Sequence, residues 1–137
     1  MNPGIAVLAM DNDSNVYLTS QFRYALGEDS LEVVSGVIEK EESPIEAARR
    51  ELREELGILA NRLIDLGEIW IDTSIIKAPV ALFLAKELSF TDPEPDGSER
   101  IRQVKLGFEE AIQAVMNGNI RHSPSCILIL KGVRSLD

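Results

Sequence analysis

From Gly36 to Ile58 the chain reads GVIEKEESPIEAARRELREELGI, and this stretch decides the fold. Its second half marks a helix at both ends. Ser43 can cap the first turn, Pro44 suits the first helical position, and Glu46 completes a capping box. Gly57 stands where a left-handed residue closes a helix. The spacing therefore predicts a helix over 44–56. At about 100° per residue, Ile45, Ala48, Leu52 and Leu56 fall on one narrow apolar stripe. Glu51 and Glu55, four residues apart, stack on one flank of that stripe, and Glu54 extends the flank. Arg49, Arg50 and Arg53 lie around the other side.

Two readings of this helix compete. In one it is a solvated surface laced with ion pairs such as Glu46–Arg50 and Arg50–Glu54. In the other its carboxylates hold a cation. Glu39, Glu41, Glu42, Glu46, Glu51, Glu54 and Glu55 crowd one short segment, and crowded carboxylates repel. No arginine stands four residues from Glu51 or Glu55, so the helix is expected to leave their repulsion unrelieved. A hard dication with oxygen ligands would relieve it.

Outward from the helix, strands dominate. Ile5–Met10 and Val16–Gln21 flank the polar turn Asp11–Asn15 and read as a hairpin. Leu31–Ser35 is a short extended piece, and Leu63–Ile71, Val80–Leu88 and Arg100–Leu106 are further strands. Thr91–Ser98, with two prolines, a glycine and three acids, reads as a loop. Phe108–Asn117 is helical by spacing and stops at Gly118. Ser123 caps a last helix running to about Val133, with Pro124 at its first position; a buried strand over Ile127–Leu130 is the weaker rival. The pattern is an α/β fold with two or three helices on a sheet.

A length of 137 residues suits one domain, and 45% hydrophobic residues suffice for one core. The longest apolar runs, Ile5–Met10 and Val80–Ala85, are far short of the roughly 20 residues a membrane span needs. The opening Met1-Asn2-Pro3-Gly4 has no basic stretch before an apolar one, so no signal peptide is expected. The single cysteine, Cys126, sits in an apolar run and reads as an inert thiol of a reducing compartment, so a cytoplasmic location follows by elimination. A net charge of −9 argues against a nucleic-acid polymer as partner.

The stretch 36–58 resembles the Nudix box, G-x5-E-x7-R-E-U-x-E-E-x-G-U with U apolar. The match falls on Gly36, Glu42, Arg50, Glu51, Leu52, Glu54, Glu55, Gly57 and Ile58. Average residue usage makes a chance match of order one in 10⁸ per starting position, which outweighs the solvated-helix reading. The resemblance implies a Nudix-type α/β/α sandwich, a mixed β-sheet with two or three helices, over residues 1–137. It implies hydrolysis of the pyrophosphate of a nucleoside diphosphate linked to another moiety, with Mg2+ or Mn2+ as cofactor. Glu51 and Glu55 would be the main metal ligands, with Glu54 acting directly or through water and the backbone carbonyl of Ser35 as a further ligand. Glu42 and Arg50 would form an ion pair tying loop to helix, and Gly36 would let the loop pass close to the helix. The metal would neutralise pyrophosphate oxygens, orient the attacking water and lower its pKa.

Outside the box the chain is similar to the ADP-ribose pyrophosphatase branch. Gln21-Phe22-Arg23 resembles its Q-Y-R motif, and Glu32-Val33-Val34-Ser35-Gly36 its E-x-P-A-G, so Arg23 and Glu32 are the expected substrate-binding residues. Val34 and Ser35 replace that branch's proline and alanine, and its Pro-Gly turn is missing between Ile71 and Val80. Metal-engaged carboxylates are poor bases, so a loop acid is expected to take the proton of water. Among Asp92, Glu94, Asp96 and Glu99, the last directly precedes a strand and is the best anchored. Glu54, Glu99 and Arg50 thus form the expected catalytic set, with Asp96 in reserve. Three functions remain open: an ADP-ribose or nucleotide-sugar pyrophosphatase, a MutT-type triphosphate pyrophosphohydrolase, or a non-catalytic nucleotide-binding module. A homodimer is expected, with Phe22, Trp70 and Ile75-Ile76 as a contact patch. Phe22 and Trp70 could instead stack on a base, Arg23 could be an ordinary strand-end arginine, and His122, the only histidine, lies in a polar segment near a helix start and is not expected to be catalytic.

Overall fold

The computed structural model describes residues 3–74, 77–93 and 101–135. Strands β1 (Gly4–Met10), β2 (Asn15–Arg23), β3 (Glu28–Glu32) and β4 (Val34–Val37) precede helix α1 (Pro44–Leu56). Strands β5 (Ile58–Trp70), β6 (Pro79–Phe90) and β7 (Arg102–Gly107) follow, then α2 (Phe108–Met116) and α3 (Ser123–Gly132), which runs into a short 3-10 turn.

The strands form one mixed sheet of order β3-β2-β1-β6-β5, with β4 also on β1 and β7 also on β2. Strand β1 runs parallel to β6 and antiparallel to its other neighbours. One edge of β1 is shared: Gly4–Val7 pair with β4, while Ala9 and Met10 pair with β2. The predicted piece Leu31–Ser35 is therefore two strands. The chain leaves β2 after Glu32 and joins β1 at Val34, and Val33 between them gives its N–H to Ser125 Oγ at 2.8 Å.

Alternation along β1 builds the two layers of core. Ala6, Leu8 and Met10 pack with Phe108, Ala111, Ile120, Leu128 and Ile129, and so lie under α2 and α3. Ile5, Val7 and Ala9 pack with Ala47, Ala48, Leu52 and Leu56 of α1. Both faces of the sheet are covered, which makes the α/β/α sandwich. The buried face of α1 corrects the predicted stripe: Ala47 is inside and Ile45 is exposed. Strand β5 starts five residues before the predicted Leu63, because Ile58–Ala60 already pair with Leu88–Phe90. The cap of α3 is His122 rather than Ser123, so proline falls one place deeper in the first turn.

Candidate active site

The ends of α1 follow the local rules. Ser43 Oγ accepts from the Glu46 N–H at 3.2 Å, and the Glu46 carboxylate accepts from the Ser43 N–H at 3.0 Å. Gly57 closes the helix at φ 65°, and Thr91 donates its N–H to the Gly57 carbonyl at 2.7 Å.

Between the loop and α1 one guanidinium gathers several acids. Arg50 donates from Nε and Nη2 to Glu42 at 2.8 and 3.0 Å, and from Nη2 to the Val37 carbonyl at 3.0 Å. Its Nη1 reaches Glu51 Oε1 at 2.6 Å and Glu54 Oε2 at 3.3 Å. The Arg50 side chain is only 18% exposed. Hydrogen bonds from Arg50, then from the Glu39 N–H, hold the Glu42 carboxyl down to about 2. The expectation that Glu51 lacks a helical arginine is therefore overturned. Residues one apart do not face each other on a helix, but the long arginine bends across and spans the gap. Glu46, in turn, caps the helix through Ser43.

Glu51 lies over Gly36. A Cβ at residue 36 would sit 2.4 Å from Glu51 Cδ and 2.7 Å from its Oε1, so glycine is what lets carboxylate and loop meet. Beside it, one carboxylate oxygen of Glu55 is buried. The set of Glu51, Glu54, Glu55 and the Ser35 carbonyl is all oxygen, which suits a hard divalent cation. Among the described residues no three acids, histidines or cysteines are already close enough to hold an ion; an arginine stands between Glu51 and Glu54. The donor chemistry thus fits a cation, with Arg50 supplying positive charge to the same acids.

A second cluster lies beyond Ser35. Arg23 grips Glu32 through Nε at 3.1 Å and Nη2 at 2.7 Å. The Glu32 side chain is 3% exposed and that of Arg23 41%. Burial raises the Glu32 carboxyl, but the Arg23 hydrogen bonds and the facing His122 outweigh it and hold Glu32 below the usual carboxylate value. His122 Nε2 stands 4.0 Å from Glu32 Oε1, and Nδ1 is 2.7 Å from Ser125 Oγ. Burial first, and the Arg23 charge as well, depress the His122 ring despite the opposing pull of Glu32. Arg23, His122, Ile71, Pro79 and Pro124 line a cleft of about 490 Å³ that ends on Ser35, Gly36 and Val37. Glu51 and Arg50 touch the backbone at Gly36 and Val37, so the two clusters adjoin.

The expected residues thus fall into an acidic group on α1 and an Arg23–Glu32 group at the cleft. Glu94, Asp96, Glu99, Ile75 and Ile76 lie outside the described residues. Phe22 and Trp70 are half-exposed, and Phe22 meets Tyr24 edge to face. Cys126 is partly buried, gives its S–H to the Ile120 carbonyl and is raised by burial, consistent with an inert thiol. Sequence reading missed Ser125, fully buried and bonded to Val33 and His122. Its three-residue spacing from His122 at a helix start was the available signal.

The description of the NUDIX domain matches residues 1–124, and the chain belongs to that family. It is 32% identical over 117 residues to the ADP-ribose pyrophosphatase of Bacillus subtilis (strain 168), covering 83% of this chain and 63% of that protein. It is 28% identical over 131 residues to the methanol dehydrogenase activator of Bacillus methanolicus, covering 93% of this chain and 71% of that protein. A crystal structure of an ADP compounds hydrolase superposes with a TM-score of 0.85 at 23% identity, over 97% of this chain and 72% of that one, and so shares the fold. No helix among the described residues is long and apolar enough to cross a membrane.

Proposed function

We propose that the chain hydrolyses the pyrophosphate of an ADP-linked small molecule, with ADP-ribose or a nucleotide sugar as substrate. The observation that carries this reading is the adjacency of the α1 carboxylates to a cleft lined by Arg23 and His122. The likeness to an ADP-ribose pyrophosphatase over most of the chain supports the substrate class. Nudix hydrolases generally depend on a divalent metal, and here Glu51, Glu54, Glu55 and the Ser35 carbonyl would hold it. When bound, such a cation supplies positive charge against the pyrophosphate oxygens and makes the attacking water more acidic.

The protein's own residues do the rest. Arg50 fixes the loop through Glu42 and the Val37 carbonyl and orients Glu51 and Glu54 beside it. Arg23, stiffened by Glu32, binds the substrate beyond the pyrophosphate. Glu99 accepts the proton of the attacking water. Water oxygen bonds to one phosphorus, the bridging P–O bond breaks, and a nucleoside monophosphate and a phosphorylated partner leave. A homodimer with Phe22 and Trp70 among its contact residues belongs to the same proposal, and only a 15 kDa species in sedimentation at micromolar concentration would refute that part.

The test is a panel of ADP-ribose, nucleotide sugars and nucleoside triphosphates with Mg2+, with products identified by mass. AMP and ribose 5-phosphate from ADP-ribose, formed faster than any triphosphate is cut, is the expected result. A clear preference for triphosphates would assign MutT-type chemistry, and no turnover of any compound would leave a binding module.

A further inference from the structure

The hydrogen bonds of Ser125 favour one tautomer of His122. Ser125 Oγ accepts the Val33 N–H at 2.8 Å, and among the described residues its own hydrogen has one acceptor, His122 Nδ1 at 2.7 Å. Ser125 is fully buried, so its hydroxyl hydrogen is costly to leave unpaired; donated to Nδ1, it leaves the proton of the neutral ring on Nε2. Glu32 Oε1, 4.0 Å away, is too far to receive that proton as a hydrogen bond. The Nε2–H group belongs to a side chain that lines the cleft beside Arg23. The rest of the cleft is largely apolar, with Ile5, Val37, Ile71, Pro79 and Pro124 among its walls. A sugar rich in hydroxyls matches such walls poorly, whereas a flat heteroaromatic ring with one exposed acceptor matches them well.

We propose that His122 is a specificity-determining residue that donates its Nε2–H to a neutral ring acceptor of the purine base, which sits in this cleft. The proposal rests on the reading above that the substrate is ADP-linked. Burial, which depresses the ring below its ordinary value, keeps the donor neutral at neutral pH. A neutral donor discriminates by presence or absence of the acceptor, because a base lacking it leaves the N–H buried and unpaired.

Calorimetry on the intact protein without added metal tests this, with AMP, its 1-, 3- and 7-deaza analogues and ribose 5-phosphate as ligands. The wild type is expected to bind one deaza analogue about tenfold more weakly than AMP. In His122→Ala, AMP should weaken by a similar factor and its advantage over that analogue should vanish. His122→Gln, whose amide can donate, should recover part of the difference. Equal binding of AMP and all three analogues by the wild type overturns the proposal, as does discrimination that persists in His122→Ala. A loss in His122→Ala that is equal for AMP and ribose 5-phosphate also overturns it, since His122 would then only position the cleft. Turnover separates this from the functional reading. A protein with the expected deaza profile that cuts no ADP-ribose sinks the reading and spares His122, and hydrolysis with a flat profile does the reverse.

Discussion

Replacing Gly36 with alanine separates the fold from the chemistry. The new Cβ would meet Glu51 Cδ at 2.4 Å, Oε1 at 2.7 Å and Cγ at 2.8 Å, and no backbone atom is among these nearest contacts. These atoms belong to a flexible side chain, so the clash is relieved by swinging Glu51 away from the loop. Overpacking costs roughly 1–3 kcal/mol, and because the neighbour can move, the lower half of that range is expected. That corresponds to a melting temperature lower by roughly 3–10 °C. Turnover should fall far more, since a catalytic group displaced by about 1 Å can lose about 10²-fold in rate. Gly57→Ala is the control. There the Cβ would meet the Thr91 carbonyl oxygen at 2.2 Å and Pro93 N at 2.8 Å, both backbone, at φ 65°. Left-handed strain of about 1–2 kcal/mol adds to the overpacking, so Gly57→Ala should be the less stable of the two. Urea unfolding and ADP-ribose hydrolysis of both variants check this. If Gly36→Ala keeps activity within about threefold of wild type, the argument that Glu51 must lie on Gly36 fails.

Three further outcomes follow from the same geometry. Arg23→Ala should raise KM for ADP-ribose, as a uniform binding contact does, and should also destabilise the protein. It strands the buried Glu32, at about 2–3 kcal/mol, below the 3–5 kcal/mol of a fully buried pair because Arg23 is 41% exposed and screened; unchanged urea stability would contradict this. Glu42 is held near 2 in the fold against an ordinary 4.5, so the unfolded chain binds more protons between those values. The stability it contributes is complete above about 4.5 and lost as pH falls toward 2; Glu42→Gln should flatten that acid limb of the denaturation midpoint, and an identical limb would count against the pairing. Glu55→Gln should nearly abolish turnover at saturating Mg2+ while leaving circular dichroism and urea unfolding near wild type, and wild-type activity would remove Glu55 from the ligand set.

Features set by neighbours in sequence were legible, and those set by neighbours in space were not. The caps of α1 at Ser43, Glu46 and Gly57 are local hydrogen bonds, and the structure has them as the residues imply. The buried side of α1 depends on how the helix packs against β4, β5 and β1. That packing puts Ala47 inside and leaves Ile45 outside, which periodicity alone could not decide. The split between β3 and β4 is invisible in sequence because Val33 differs from its neighbours only in where its N–H goes. Within the acidic group, spacing identified the carboxylates but not the reach of Arg50 across to Glu51. The Arg23–Glu32 pair joins residues four positions out of register across the β2–β3 ladder, where Arg23 stands opposite Glu28 and Glu32 opposite Thr19, and motif likeness named both without indicating that they touch.

The hydrogen bond from Val33 to Ser125 spans 92 residues of chain. It holds the point where the strand changes partners, three residues before Gly36, so the placement of the loop beside α1 depends on a helix near the other end of the sequence. Contacts so far apart form late in folding, because the intervening chain must be ordered before they close. A nascent or refolding chain should therefore acquire the α1 helix early and a competent site only once α3 docks. Recovery of activity should lag behind recovery of helical signal, which gives the protein an interval in which it is largely folded and still inert.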